Sequence, residues 1–396
     1  MSEEPASLPP TPIAGTLVGN LSEPILLSGL QLDGVAAEGA KKGSTTARIW
    51  TRLSLTSDEA IFHRIAKSLA GHVEFRAREA GNPVNLARAG MTLLVIRPDN
   101  SGEIWLDAAA VSVNVVVKRS MQAGAVVFER DIADVTGMSF PLVQIGEADR
   151  VVCLFREGWR FALFFDFNPE RKLSLAAMER DLGTLHRRLR YREVYDAIAS
   201  ATVFSRLVQA GWFPFAEIMG AEFEQLSLHC ENDFELDDVE AELIAKFDAE
   251  RVERMFARWM AKPHFAGKER LLRSALNGYL AGDPVPVLKI ALTEIEGILN
   301  EAHRKLYGTG AKQKALLGFA VRSAEEKRGQ PDTLMFPAAF GRYLAEYTFA
   351  NFDPAQGTGN AGSRHAVGHG AAESDSYTQT RALQALLTLD QLAFFT

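Results

Sequence analysis

Apolar residues follow a strand pattern in the first part of this chain and a helical pattern in the second. Between residues 43 and 168, short runs of β-branched and aromatic residues alternate with turn-forming or charged residues, which is the pattern of strands. From residue 171 onward, apolar residues recur every three or four positions, as in amphipathic helices. We therefore expect the α+β class, with a β-rich N-terminal domain followed by an all-α bundle of long antiparallel helices.

Individual elements follow from the same pattern. Glu157 and Gly158 predict a two-residue hairpin turn between two strands, and one helix is expected at residues 58–69. The predicted strands are residues 92–96, 111–117, 125–128, 150–156 and 159–167. The later helices, punctuated by Gly and Pro, are predicted at residues 171–200, 203–228, 236–261, 267–281, 284–306, 309–327, 333–351 and 374–395.

These elements predict four segments. Residues 1–42, rich in Pro, Gly, Ser and Ala, are expected to form a flexible arm. A β-rich α+β domain is expected over residues 43–170, and connecting helices over residues 171–265. Residues 266–396 are expected to form the helical bundle.

Composition and charge narrow the function classes. The 396 residues carry a net charge of −7, so no global positive field attracts nucleic acid, and any such contact requires a local basic patch. Two cysteines exclude a disulfide framework and a four-cysteine zinc site. The first residues lack the basic and apolar regions of a signal peptide, and no run reaches the ~18 apolar residues of a membrane helix. We expect a cytoplasmic protein with no membrane contact.

Two motifs match known sites only in part. Residues 357–362 match G-x-G-x-x-G, but a predicted helix precedes them where a dinucleotide fold needs a strand, which favours a flexible loop. His365 and His369 have the spacing of a zinc-binding H-E-x-x-H helix, but Ala366 replaces its Glu. Further ligands would have to come from Glu373 or Asp375, and we expect neither a metal nor a cofactor.

One Arg and two His cluster within residues 362–370, after a Gly-rich stretch and before an apolar helix. Arg364 and His369 form an Arg-x4-His pattern that resembles the signature of HEPN domains. Downstream, Tyr377 and the Leu-rich residues 382–390 are similar to the last helix of a bacterial HEPN subgroup, and residues 296–299 resemble a Glu-containing helix of these proteins. The resemblance covers residues 266–396, and it implies that the predicted bundle is HEPN-like.

The resemblance implies metal-independent RNA cleavage by Arg364 and His369. Histidine, with an unperturbed pKa of ~6.5, exchanges protons near neutral pH, and an arginine fork matches phosphate oxygens that gain charge. The neighbouring ribose 2′-hydroxyl is the nucleophile, so no metal is required. His365 is assigned to positioning. Glu294 or Glu296 is expected to orient Arg364 through an ion pair, and Glu296 is preferred because it lies in the matching segment.

Arg364 and His369 are five residues apart, which is ~140° around an ideal helix. They therefore converge better if Arg364 lies in the preceding loop or in the first turn, where Ser363 is a candidate N-cap. In HEPN families a dimer that brings both copies of the motif into one groove also relaxes this constraint.

RNA contact is predicted on the basic helix over residues 171–192. The candidate RNA-binding residues are Arg187, Arg188, Arg190 and Tyr377. The alternative is a solvated helix between domains.

The resemblance thus implies an endoribonuclease, as a toxin or antiviral defence effector, with RNA as substrate and an antitoxin or regulatory protein as a further partner. A homodimer through the C-terminal bundle is expected, because residues 377–395 are apolar on more than one helix face. The alternative is a non-catalytic HEPN module that dimerises and binds a protein or nucleotide partner.

Overall fold

The computed structural model describes residues 19–38, 42–43, 45–328, 331–351 and 362–396. The described chain forms two compact units. The first contains the described residues up to Val113 together with Met138–Leu189, and the second contains Asn114–Gly137 together with the described residues from Arg190 onward. A sheet in the N-terminal region and helices in the C-terminal region confirm the predicted α+β class.

The first unit is built on an antiparallel sheet. The described strands are β1 (Ile25–Leu27), β2 (Val35–Glu38), β3 (Arg48–Trp50), β4 (Arg52–Thr56), β5 (Met91–Ile96), β6 (Gly102–Leu106), β7 (Ser112–Val117), β8 (Ile132–Ser139), β9 (Arg150–Glu157) and β10 (Arg160–Asp166). Six of them form one sheet in the order β1-β6-β5-β9-β10-β4. The pair β2-β3 forms a small sheet of the first unit, whereas the pair β7-β8 lies mostly within residues 114–137, which belong to the second unit.

Both faces of the six-stranded sheet are covered by helices. On β5, Leu94 and Ile96 face the core under α1 (Phe62–Glu79), whereas Leu93 and Val95 face the core under α2 (Leu175–Arg190). This alternation follows from the two-residue period of a strand. Because α2 buries its apolar side on the sheet, it belongs with the first unit and is not one of the connecting helices that we predicted over residues 171–265.

The clearest predicted strands are present, with one change of turn. Residues 92–96 and 111–117 lie in β5 and β7, and β9 and β10 form the predicted hairpin. Glu157 pairs with Arg160, so the turn residues are Gly158 and Trp159, and Gly158 adopts a positive φ of 59°.

Two predictions for the N-terminal half were wrong. Residues 125–128 form no strand, because the Asp131 carboxylate accepts the Phe128 N–H and closes a turn there. The arm predicted over residues 1–42 contains β1 and β2, since β1 pairs with β6 at the edge of the main sheet. The predicted helix at residues 58–69 is present as the longer α1.

Helices dominate the second unit. The described helices after α2 are α3 (Arg192–Ala199), α4 (Ala201–Ala210), α5 (Ala221–Asn232), α6 (Asp237–Ala245), α7 (Ala249–Met260), α8 (Pro263–Ala266), α9 (Glu269–Leu280), α10 (Pro284–Tyr307), α11 (Gln313–Arg328), α12 (Pro337–Tyr343), α13 (Arg364–Gly368) and α14 (Gln379–Phe395). The predictions for α9, α10 and α11 are confirmed to within a few residues.

The helices predicted over residues 203–228 and 236–261 are each two helices. Gly211 ends α4 with a φ of 86°, which favours glycine. Asp248 starts α7 by accepting the Arg251 N–H, so that a second helix begins within the predicted one.

The second unit also takes in a segment from the predicted β-rich domain. Residues 114–137 belong to it because their polar groups bond to its helical part. Asp134 Oδ1 accepts the Leu334 N–H at 3.1 Å, and the Lys118 carbonyl accepts from Arg258 at 2.7 Å.

Helix α14 lies at the centre of the second unit. Every residue of α14 from Ala382 to Phe395 is buried within the single chain, against α6, α7, α9, α10 and α11. Its apolar character therefore requires no partner subunit, and the homodimer stays a prediction. In the part of the chain that the structure describes, no helix has both the length and the apolar character to cross a membrane.

A buried histidine makes the stability of the second unit depend on pH. Burial lowers the pKa of His264 to about 4, and Lys327 adds to the effect. Between about pH 6.5 and pH 4, His264 is protonated in the unfolded chain but remains neutral in the folded chain. Part of the unfolding free energy is therefore lost as pH falls through this range. Urea unfolding at pH 7 and pH 4.5 should show a smaller loss for His264→Gln than for wild type. The exposed His63→Gln variant should follow wild type.

Candidate active site

The predicted Arg/His cluster lies on and directly after helix α13, and helices α10 and α11 of the second unit contact it. Helix α10 starts where the Asp283 carboxylate accepts the Val285 N–H and ends at Gly308, whose φ is 77°. Its 24 residues span ~36 Å and carry both Glu294 and Glu296. The short helix α13 packs against α10, and α11 contributes Gln313.

The structure contains an ion pair between Arg364 and Glu296. The Nη2 atom of Arg364 lies 2.5 Å from Oε2 of Glu296, and the side chains are 31% and 25% exposed. Glu294 instead pairs with Lys268 at 2.5 Å. Of the two acids considered, Glu296 therefore holds Arg364. A charge-assisted bond of this kind restricts the guanidinium to one direction.

His365 is held by α11. Its Nε2 lies 3.1 Å from Oε1 of Gln313, while the Gln313 amide nitrogen donates to the Phe349 carbonyl. Because Oε1 can only accept, Nε2 of neutral His365 carries the hydrogen and Nδ1 has a free lone pair. Burial lowers the pKa of His365, and the charges of Arg364 and His369 lower it further. His365 is therefore neutral at pH 7.

His369 follows α13 directly and is exposed. Its N–H donates to the His365 carbonyl at 3.0 Å, and Gly370 then leaves the helix with a φ of 68°. Arg364 is the first residue of α13, which is one of the two positions that we considered. Ser363 occupies the N-cap position, but its hydroxyl donates to the Ala350 carbonyl and does not cap the helix.

The structure places the predicted RNA-binding residues in different surroundings. Arg187 has no exposed surface and donates to the Thr184 hydroxyl at 3.0 Å, so the prediction that it contacts RNA is wrong for this conformation. Arg188 is exposed in the first unit. Arg190 is exposed and pairs with Glu129 at 2.8 Å in the second unit. Tyr377 is half-buried after a short 3-10 turn.

Other predictions concern the same stretch of chain. Most of the G-x-G-x-x-G match, residues 357–361, lies outside the described residues. Within the described residues, no group of three or more His, Cys, Asp or Glu side chains is placed to hold a metal ion.

The second unit contains a buried charge network that was not predicted from the sequence. Asp390, on the apolar helix α14, accepts two bonds of 2.8 Å from Nη2 of Arg258 and a third of 2.8 Å from the Trp259 indole. Nη2 of Arg258 also lies 2.8 Å from Glu217, which in turn pairs with Arg251 at 3.1 Å. The signal in the sequence was an acidic residue inside the Leu-rich run 382–390.

Two large cavities also lie within the second unit, and neither includes Arg364, His365 or His369. One, of about 620 Å³, is bordered by the acidic stretch from Asp233 to Asp237 and by Glu240, where burial raises the pKa of the Glu240 carboxyl. The other contains Lys118 and much of the charge network.

Comparisons of the chain with protein-family models, with curated proteins and with solved structures give no match.

Proposed function

We propose that this chain is a metal-independent endoribonuclease in which Arg364 and His369 act on the scissile phosphate. The observation that carries the proposal is the 2.5 Å ion pair between Arg364 and Glu296, which fixes a guanidinium on the short helix segment that also carries His365 and His369. A fixed guanidinium is suited to a phosphate that gains charge during reaction, because its donors need no reorganisation. The exposed His369 leaves one imidazole open to solvent and substrate.

The proposed reaction is attack of a ribose 2′-hydroxyl on the adjacent phosphate. His369 accepts the 2′-hydroxyl proton as the new P–O bond forms, and the leaving 5′-oxygen takes a proton from a water molecule as its bond to phosphorus breaks. The resulting hydroxide recovers the proton from His369, so the products are a 2′,3′-cyclic phosphate and a 5′-hydroxyl. Arg364 stabilises the pentavalent phosphate. His365 and Glu296 position the reacting groups. In this proposal the protein is an effector, a toxin or an antiviral nuclease, that damages cellular RNA.

Incubation of the full-length protein with total RNA in excess EDTA tests the proposal. We expect RNA fragments that carry 2′,3′-cyclic phosphate ends, because neither the nucleophile nor the charge stabilisation requires a metal. Fragments with 5′-phosphate and 3′-hydroxyl ends, formed only after Mg²⁺ or Zn²⁺ is restored, would contradict the proposed chemistry. A folded protein that cuts no RNA with or without metal would favour the non-catalytic HEPN module.

A further inference from the structure

A cavity of about 950 Å³ lies within the second unit, near the upper end of the ~300–1,000 Å³ typical of small-molecule sites. Its lining residues come from two stretches of the chain, segment 114–137 and the residues from Glu217 to Arg258. Seven of the lining residues are basic: Lys118, Arg119, Arg130, Lys246, Arg251, Arg254 and Arg258. Six are acidic: Glu129, Asp131, Glu217, Glu222, Asp248 and Glu250. The lining thus has one more basic than acidic side chain, and what matters is which of these charges are paired with each other.

The acids that line the cavity are already engaged. Asp131 pairs with Arg119 at 2.9 Å, Glu222 pairs with Arg251 at 2.8 Å, and Glu250 pairs with Arg254 at 2.6 Å. The remaining lining acids also have partners: Glu217 with Arg251 and Arg258, Glu129 with Arg190, and Asp248 as the cap of α7. Among the described residues, Asp248 is thus the one lining acid outside an ion pair, since it accepts only the Arg251 backbone N–H.

Three cations in the same lining have no such partner. Within the described residues, Lys118, Arg130 and Lys246 make neither a side-chain hydrogen bond nor an ion pair, and Arg130 only stacks on Phe128 at 5.0 Å. Arg130 and Lys246 are exposed, whereas Lys118 is only 8% exposed. Three cations of the lining therefore lie outside any direct ion pair, and one of them, Lys118, is buried, where Glu217 and Asp390 act on it only through space.

Lys118 is the group that requires an explanation. Its N–H donates to the Asp131 carbonyl at 2.8 Å and its carbonyl accepts from Arg258 at 2.7 Å, so the backbone is fixed on both sides. Burial lowers the pKa of the Lys118 ammonium; Glu217 and Asp390 oppose this shift, and Arg251 and Arg258 add to it. A buried cation without a partner costs free energy. A bound anion would remove that cost.

We infer that this cavity binds a small anion with a chain of phosphate groups, held by Lys118 inside and by Arg130 and Lys246 at the rim. A diphosphate or triphosphate group carries enough negative charge to match three cations, and the volume leaves room for an attached organic group. The inference does not depend on the ribonuclease proposal, because the cavity does not include Arg364, His365 or His369.

Calorimetric titration of the full-length protein with tripolyphosphate at low ionic strength tests this inference. We expect saturable binding and a rise in melting temperature with ligand concentration, because a ligand that binds the folded state stabilises it. Citrate, a carboxylate anion of similar charge, should bind more weakly. A nucleoside triphosphate that binds more tightly than tripolyphosphate would support an organic group in the cavity. Absence of binding at millimolar tripolyphosphate, or equal binding of citrate, would overturn the inference.

Variants locate the binding. Lys118→Met should weaken tripolyphosphate binding by at least about 30-fold, since it removes the buried partner of the ligand. Without ligand its melting temperature should equal or exceed that of wild type, because an unpaired buried charge has gone. Arg130→Met, on the exposed rim, should weaken tripolyphosphate binding several-fold. If Lys118→Met does not fold, the affinity of Arg130→Met shows whether the anion binds in this cavity. Lys289→Met, exposed on α10 outside the cavity, is the control. Unchanged affinity in Lys118→Met or Arg130→Met would place the anion elsewhere.

Discussion

His369→Ala should lower the rate of RNA cleavage by about 10²- to 10⁴-fold, the usual loss when a general acid or base is removed. Because His369 is exposed and ends a five-residue helix, its side chain contributes little to packing, and the melting temperature should stay close to wild type. Single-turnover cleavage of a labelled RNA, measured beside a thermal melt, separates the two effects.

Arg364→Ala should have a comparable effect, about 10²- to 10³-fold, because it removes a fixed donor to the charged phosphate. The double variant should be little worse than either single variant, since residues that act as a unit are not additive. His365→Ala should have a smaller effect than His369→Ala.

Helix α10 offers a matched pair of controls for these measurements. Glu296→Gln weakens the bond to Arg364 and should lower the cleavage rate, whereas Glu294→Gln weakens a pair with Lys268 and should not. A folded His369→Ala protein that cuts RNA at the wild-type rate would refute the assignment. Unfolding of His369→Ala would indicate a structural role.

Arg258→Met should lower the free energy of unfolding by about 3–5 kcal/mol, because it leaves buried acids without their cation. Asp390 is 1% exposed and accepts three of its bonds of 3.0 Å or less from Arg258. Glu217 loses a 2.8 Å partner in the same variant. Urea unfolding of the second unit, followed by far-UV circular dichroism, gives the difference.

A nearly identical change on the same helix provides the control. Arg254 lies one turn before Arg258 on α7 but pairs with Glu250 at the surface, where the side chains are 45% and 83% exposed. Arg254→Met should therefore cost at most about 1 kcal/mol. Adding Asp390→Leu to Arg258→Met should recover part of the lost free energy of unfolding, because the second substitution removes the buried carboxylate that Arg258→Met leaves unpaired. Equal costs for the two arginine variants would contradict the network as described.

Local pattern was sufficient for much of this fold. Strand β5, the β9-β10 hairpin and helices α9, α10 and α11 lie close to their predicted positions, since period, turn residues and flanking Gly or Pro act over a few residues. The spacing of Arg364 to His369 left a loop or a first helical turn open for Arg364, and the structure has the first turn. The Arg364–Glu296 pair was proposed from residue types in two segments that resemble HEPN domains.

Tertiary packing decided what lay beyond local pattern. Arg187 belongs to a basic run, yet it is buried because the helix that carries it packs on a sheet whose strands lie elsewhere in the sequence. Helix α14 is buried by its own chain and not by a partner subunit. Segment 114–137, strand-like in sequence, joins the helical unit through long-range hydrogen bonds.

The buried charge network is the clearest feature that local sequence pattern does not predict. Arg258 and Asp390 are 132 residues apart and meet only in the folded chain. Lys118, 140 residues from Arg258, lines the same cavity as Arg258. Period and composition determine which residues turn inward along one element, because side-chain direction repeats with the local backbone. Which charges meet inside, and which cation is left without a partner, depends on how distant elements pack, and that was decided by the tertiary structure alone.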